Sequence, residues 1–337
     1  MAASNNEVWQ TAVVTAVRDV APDIRRIELA PAQPKRAEPG SHIDLNVQIN
    51  GEPAKRSYSI VDSSVDGARL VISVLKAPAS RGGSVYMHTV KPGDSLEITQ
   101  PLQNFPMRVG AERYVLLAGG IGIAAVMKMA EVLKHVKADY RLIYVGRSRQ
   151  VMAYLAELEA EHGARLQVHA DDEMGRLDVK ALIAGVSLDT ELYMCGPIRL
   201  MDAVRRSWVE RELSVPNLRY ETFGNSGWYN PEEFWVRIPR LGVEVKVGQD
   251  RSMLEALEDE GVDMMFDCRK GECGLCEVRI LDLVGTVDHR DVFYSQNQQR
   301  AAAKMCCCVS RAVTANTGSR GDTDLYRRPA VVTIDVP

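Results

Sequence analysis

The sequence predicts a multidomain chain: an antiparallel β-barrel first, an α/β domain with a parallel sheet second, and a small α+β domain last. Three observations predict it. Residues 8–99 carry short β-rich runs punctuated by Gly, Pro and Asp, the pattern of an antiparallel barrel or sandwich. Around Ala111 the rhythm changes to strands alternating with helical stretches, which reads as a parallel sheet. Six of the seven cysteines then fall between Cys268 and Cys308, behind a hairpin and a short capped helix. A chain of 337 residues is long for one domain and comfortable for two or three, and boundaries are placed at 1–108, 109–226 and 227–337.

Composition narrows the function classes. A net charge of −4 gives no nucleic-acid footprint. No apolar run is long enough to span a membrane, and Met-Ala-Ala-Ser-Asn-Asn-Glu lacks the basic and apolar regions of a signal peptide. A cytoplasmic protein is expected.

In the first domain the strand-like runs are Thr11–Val17, Arg26–Leu29, His42–Ile49, Arg69–Leu75 and Ser95–Ile98. Two places are richer than barrel wall. In Arg56-Ser57-Tyr58-Ser59-Ile60, residues two apart share a face, so Arg56 and Tyr58 point together. The plain alternative is a strand with a polar outer face. Arg81-Gly82-Gly83-Ser84 precedes a helix-like Val85–Val90, and glycines before a helix with a Ser cap make an anion cradle from backbone N–H groups. Alone it is equally a capped turn.

In the second domain Tyr114–Ala118 runs into Gly119-Gly120-Ile121-Gly122 and a helical Ala124–Val136. Strand, glycine turn and helix is the context in which a helix N-terminus binds pyrophosphate, although many such turns need glycine only for close packing. Arg141–Val145 ends in Gly146-Arg147-Ser148, and Glu191–Met194 ends in Cys195-Gly196-Pro197. Cys195 stands apart from the other cysteines and reads equally well as a small buried residue.

In the third domain Phe234–Ile238 and Val243–Val247 form a hairpin. Ser252-Met253-Leu254-Glu255 is a capping box that opens a helix ended by Gly261. Cys268, Cys273 and Cys276 make a C-x4-C-x2-C loop, the spacing of plant-type [2Fe–2S] ferredoxins, which take a fourth cysteine further along. Gly271 and Gly274 let the backbone approach a cluster. Structural zinc is the rival, but zinc knuckles usually pair one C-x2-C with another. A disulfide scaffold is not needed in so long a chain. The fourth ligand lies among Cys306, Cys307 and Cys308; strand alternation puts Cys306 and Cys308 on one side. A polar stretch, Thr314–Asp322, precedes a closing strand at Val331–Val336.

Taken together, the Arg-x-Tyr-Ser strand, the Arg-Gly-Gly-Ser turn, the Gly-Gly-Ile-Gly turn and Cys-Gly-Pro resemble the flavoprotein reductases of the ferredoxin–NADP reductase superfamily. With the cysteine loop behind them, residues 8–312 resemble the phthalate dioxygenase reductase-like family, vanillate O-demethylase-type reductases included. The resemblance implies an FMN barrel, a nucleotide domain and a β-grasp ferredoxin domain. Along the flavin strand Ser57 and Ile60 flank the key positions: Arg56 meets the flavin phosphate side, Tyr58 packs on the isoalloxazine and Ser59 approaches N5. Lys76 and Ala77 line the ring. Arg81, Gly82, Gly83 and Ser84, followed by Met87-His88, look like the version that binds FMN's terminal phosphate, and no loop for the adenine half of FAD is evident.

The same resemblance turns Gly119, Gly120 and Gly122 toward the NAD pyrophosphate, sets Cys195 and Gly196 near the nicotinamide, and brings Arg147 and Ser148 to the adenosine ribose. Ser59, Cys195 and Phe223, which covers the flavin face, form the catalytic set. NADH over NADPH follows the family, since Arg147 could accept a 2′-phosphate. Cys308, directly before Val-Ser-Arg, becomes the fourth ligand with Cys306 as fallback, and His289 is structural. The implied enzyme is an NAD(P)H-dependent flavin/iron–sulfur oxidoreductase, expected as a monomer. It is the reductase component serving a terminal, Rieske-type oxygenase or demethylase of aromatic substrates. Its rivals are a stand-alone flavin reductase of quinone or ferric acceptors and a zinc-stapled binding module.

Overall fold

Period-two burial marks the first strands: Ala12 and Val14 point inward while Val13 stays exposed. The computed structural model describes residues 7–49, 51–77, 80, 82–223, 229, 231–249, 251–314 and 329–336. The chain divides into two compact units, Met1–Glu221 and Thr222–Pro337.

The first unit opens with β1 (Trp9–Ala21), β2 (Ile24–Pro31), β3 (Ser41–Ile49), β4 (Glu52–Ser63), β5 (Leu70–Leu75), β6 (Ser95–Thr99) and β7 (Leu102–Gln103). Their order is β4-β5-β2-β1-β6-β3-β7, and β4 also pairs with β3. That extra pairing closes six antiparallel strands into a barrel, which leaves those six without a free edge. Val14, Ile27, Leu29, Ile43, Leu45, Ile72 and Ile98 fill it. A register shift in β4 between Ile60 and Asp62 bends the strand just past Ser59.

The same unit continues with β8 (Arg113–Gly119), β9 (Asp139–Gly146), β10 (Leu166–Ala170), β11 (Thr190–Cys195) and β12 (Leu218–Glu221). All are parallel, in the order β10-β9-β8-β11-β12. Residues 114–119 of β8 are buried without alternation, as a strand covered on both faces must be. The helix Ile123–His135 buries Ile123, Val126, Met129 and Leu133. Strand order reverses between β8 and β11, and in such sheets ligands bind outside the carboxyl ends at that reversal.

The second unit contains β13 (Phe234–Ile238), β14 (Val243–Val247), β15 (Glu277–Val284), β16 (Thr286–Asp288), β17 (Lys304–Cys306), β18 (Arg311–Val313) and β19 (Ala330–Asp335). Five form a mixed sheet, β14-β13-β19-β15-β17, in which β13 and β19 run parallel, while β16 and β18 pair separately. The capping box at Ser252 is formed, with Glu255 returning its carboxylate to the Ser252 N–H at 2.7 Å, and opens the helix Met253–Asp259. Phe234, Val236, Leu254, Leu257, Met305 and Ile334 make the core. The predicted closing strand lies one residue earlier than expected, and most of the stretch 314–322 lies outside the described residues.

Candidate functional site

The reversal point of the parallel sheet is built from glycines that do different jobs. A Cβ on Gly122 would sit 2.1 Å from the Cys195 carbonyl oxygen. One on Gly119 would meet Pro197 at 2.6 Å, and one on Gly196 would meet the Gly119 Cα at 3.0 Å. These three therefore let the β8 and β11 turns pack against each other, the plainer of the two sequence readings. Gly120 differs: its φ is +54° and nothing lies within 4 Å of its missing Cβ. It is the glycine of this turn with open space beside it. A 3-10 turn, Gly120–Gly122, leads into the long helix.

Register then lines up the neighbours. Cys195 pairs with Ala118 on one side and with Glu221 on the other, at the carboxyl edge of the sheet. Glu221 is 2% exposed, and its Oε2 accepts a hydrogen bond from the Ser59 hydroxyl at 2.9 Å. A barrel residue and the last strand of the nucleotide sheet thus meet beside the buried Cys195. Sequence reading missed Glu221, although a carboxylate ending the last strand of such a sheet, next to Phe223, is a signal of its own. Phe223, half-buried, falls in the second unit.

Within the barrel, Arg56 and Tyr58 are half-buried on the same face of β4 while Ser57 and Lys55 are exposed. The Arg56 side chain covers Gly83, where a Cβ would lie 2.7 Å from its Cγ, so the flavin strand and the glycine turn are brought together. The turn corrects one expectation. Ser84 does not cap the helix; Gly82, with φ +85°, occupies that place, and the helix spans Gly83–Met87 rather than 85–90. The Ser84 hydroxyl is engaged instead with the Ala77 N–H at 3.2 Å and the Ser80 hydroxyl at 2.8 Å. That ties Ala77, past the end of β5, to the turn; Lys76 beside it is exposed and Ile60 buried. Arg81 lies outside the described residues.

Arg56 over Gly83, with Ser59 held on Glu221, fits a flavin laid along β4. On the outer side of the same barrel, away from the Ile43–Leu45 face, buried Asp44 accepts from Ser57 and pairs with Lys55 Nζ at 3.2 Å. Burial pushes the Asp44 carboxyl up, but Ser57, His42 and Lys55 together hold it below its ordinary value. Arg147 and Ser148 follow β9, further along the edge. Arg147 is exposed and forms no ion pair among the described residues, whereas Arg149 is engaged by Glu159 and Glu173.

In the second unit the cysteine loop turns its backbone inward on one sulfur. The N–H groups of Lys270, Glu272 and Cys273 donate to Cys268 Sγ at 3.4, 3.3 and 3.4 Å. The Cys308 thiol hydrogen-bonds both Cys268 and Cys276, and Cys273 bonds Cys268. The Cys308 thiol, with help from those N–H groups and against burial, lowers Cys268 to about 5. Hydrogen bonds from Cys306, Cys307 and Cys308 hold Cys276 far below the usual thiol range. Among the described residues no three His, Cys, Asp or Glu side chains gather on one point fit for a single ion. The thiols form one linked cluster instead, with Cys273 on Cys268, Cys308 bridging Cys268 and Cys276, and Cys306 and Cys307 also on Cys276. Several soft thiols gathered in one loop, with N–H donors aimed at a sulfur, fit an iron–sulfur cluster.

Two expectations about the loop change. Gly271 and Gly274 have φ of +75° and +77°, but a Cβ there would strike Val309 and Asp291, or the Phe293 ring. Their smallness lets the loop pack on the segment 288–293. Strand alternation does not sort the three adjacent cysteines, because β17 ends at Cys306 and Cys307–Val309 form a turn; all three cysteines are buried. His289 is buried, with Nδ1 3.1 Å from Asp291 Oδ2 and its ring edge-on to Tyr294.

Known proteins carry the same arrangement. Residues 11–106 match the oxidoreductase FAD-binding domain, 236–313 the 2Fe-2S iron-sulfur cluster binding domain, and 99–215 the N-terminal domain of dimethylamine monooxygenase subunit DmmA-like proteins. The heme-dependent oxidative N-demethylase beta subunit of Ectopseudomonas mendocina is 34% identical over 302 residues, which is 88% of this chain and 94% of that protein. The structure of phthalate dioxygenase reductase, described as modular for electron transfer from pyridine nucleotides to [2Fe–2S], is 27% identical with a TM-score of 0.72 over 98% of both chains. This chain belongs to the phthalate dioxygenase reductase-like family.

As a member of the phthalate dioxygenase reductase-like family it is an oxidoreductase with a flavin domain and a [2Fe–2S] domain, a reductase of oxygenase systems. Full-length CYP116B46 from Tepidiphilus thermophilus is also similar, at 34% identity and a TM-score of 0.63, but this chain spans only 42% of that one. No helix among the described residues is long and apolar enough to cross a membrane.

Proposed function

We propose that this reductase takes hydride from NADH, holds FMN, and delivers single electrons through its cysteine-bound cluster to a separate terminal oxygenase of the Rieske type, acting on aromatic substrates. NADH gives electrons in pairs and a [2Fe–2S] cluster takes them singly, so the flavin supplies the conversion. The observation that carries the reading is the thiol pocket, in which three N–H groups meet Cys268 Sγ and Cys308 joins Cys268 to Cys276. The pocket supports Cys268, Cys273, Cys276 and Cys308 as ligands. The working parts are assigned to 1–108, 109–226 and 227–337, in a cytoplasmic monomer.

In the first unit Arg56 and the Gly82–Gly83 turn would hold the flavin phosphate, with Ser84 beside it, and Arg81, outside the described residues, is assigned to it from the sequence motif alone. Tyr58, between Ser57 and Ile60, supports the ring, and Lys76 and Ala77 border it. The Ser59 hydroxyl donates to Glu221, so its oxygen lone pairs would be left to accept from the N5–H that a flavin gains on reduction. Gly120 leaves room for the pyrophosphate between Gly119 and Gly122. Cys195 and Gly196 seat the nicotinamide, Arg147 and Ser148 the adenosine ribose, and Phe223 shields the flavin face. In the second unit Met265, Phe266, Leu275 and Phe293 are exposed around the cysteine loop, apolar surface suited to a transient partner.

Mass analysis of the released flavin tests FMN against FAD, and kcat/KM for NADH against NADPH tests the nucleotide. Reconstitution with a Rieske oxygenase tests the partner. A haem oxygenase is the second reading, favoured by the heme-dependent relative; coupling to a haem oxygenase alone would select it.

A further inference from the structure

The first residue of the second unit, Thr222, is 3% exposed and is tied into the cysteine loop by three contacts. Its N–H donates to Glu272 Oε1 at 2.7 Å. Its hydroxyl lies 2.5 Å from the Lys270 carbonyl oxygen and 2.9 Å from Glu272 Oε1, with one proton to give between them. Lys270 and Glu272 are not arbitrary loop residues. Their own N–H groups are two of the three that reach Cys268 Sγ, at 3.4 and 3.3 Å. The remaining donor, Cys273, follows Glu272 directly.

We infer that Thr222 is a positioning residue for the cluster: by gripping Lys270 and Glu272 it fixes the N–H donors on the Cys268 sulfur and so raises the cluster's affinity for an electron. The inference rests on the cluster reading given above. N–H donors stabilise the extra negative charge that reduction places on the sulfurs, and hydrogen bonds to sulfur are among the determinants of cluster potential. Glu272 works at both ends, its backbone N–H on the sulfur and its carboxylate on Thr222. Without the threonine hydroxyl the Lys270 carbonyl loses its 2.5 Å partner. The grip on the Lys270 carbonyl is then lost and that on Glu272 is reduced to the residue-222 N–H, which loosens both donors on the sulfur.

The test is Thr222→Val, which keeps the shape and removes the hydroxyl, compared with Thr222→Ser, which keeps it, in the full-length protein. Anaerobic redox titration followed by EPR of the reduced cluster is the readout. At a fixed ambient potential near the wild-type midpoint, Thr222→Val should lower the ratio of reduced to oxidised cluster by roughly tenfold, ~59 mV for a one-electron couple. Its EPR g-values should shift, and Thr222→Ser should restore both. If Thr222→Val does not fold, Glu272→Ala carries the test, because it keeps the 272 N–H and removes the carboxylate that holds Thr222. Wild-type midpoint and g-values in Thr222→Val or Glu272→Ala would overturn the inference while leaving the cluster in place. A wild-type protein without iron, sulfide or a cluster spectrum would instead overturn the reading on which it rests.

Discussion

Replacing Gly122 by Ala puts the methyl 2.1 Å from the Cys195 carbonyl oxygen and 2.5 Å from its carbon. Real contacts of this kind stay above 3.0 Å, so one turn must retreat by about 0.9 Å from the other. The atom in the way is backbone, held in register between β8 and β12, and cannot swing aside as a side chain would. Forcing volume into such packing costs ~1–3 kcal/mol. In a domain of this size that lowers the melting temperature by about 2–4 °C per kcal/mol. Gly120→Ala is the paired control. Nothing lies within 4 Å of its Cβ, so the penalty is the left-handed backbone alone, about 1 kcal/mol. The assay is thermal unfolding followed by flavin fluorescence, with KM for NADH measured on both proteins. Gly122→Ala should melt well below Gly120→Ala, whereas Gly120→Ala should raise KM for NADH at least as much as its partner. Equal melting temperatures, or a KM effect confined to Gly122→Ala, would refute the division of labour between the two glycines.

Three further outcomes are expected. Ser59→Ala should slow flavin reduction by NADH in stopped-flow by on the order of 10²-fold, with Glu221→Gln slowing it less, since the hydroxyl remains. Asp44 has a folded pKa below 3.8, so its ionised form stabilises the barrel above that value and the benefit disappears as pH falls through the folded pKa. Asp44→Asn should therefore lose stability in urea unfolding at neutral pH and match wild type under acid conditions well below 3.8. Cys308→Ser should abolish or distort the cluster spectrum while Cys306→Ser retains it, because Cys308 hydrogen-bonds both Cys268 and Cys276 whereas Cys306 bonds Cys276.

What was legible in the sequence was local. The hairpin Phe234–Ile238 and Val243–Val247, the capping box at Ser252 and the cysteine loop each carry their signal within a few residues, and each stands where it was expected. β10, Leu-Gln-Val-His-Ala, was missed because its burial depends on neighbours in the sheet rather than on its own pattern. β7 is two residues long and exists only because β3 runs beside it. The Ser59–Glu221 bond spans 162 residues, so no motif could announce it. Ser84 looked like a cap because Ser is a good one, yet the backbone needed a positive φ at the position before the helix and glycine took it. Strand alternation cannot sort the three adjacent cysteines, because the chain turns after the first of them.

The central claim is the order of carriers, NADH to flavin to cluster to acceptor. Its most direct test is anaerobic NADH titration of wild type and Cys273→Ser, followed by absorbance and EPR, with cytochrome c and a flavin-accepting dye as acceptors. In wild type both flavin and cluster signals should bleach as the reduced-cluster EPR signal grows. In Cys273→Ser the dye should still be reduced while cytochrome c is not. Loss of dye reduction in a folded Cys273→Ser protein, or a colourless wild type with stoichiometric zinc, would contradict it.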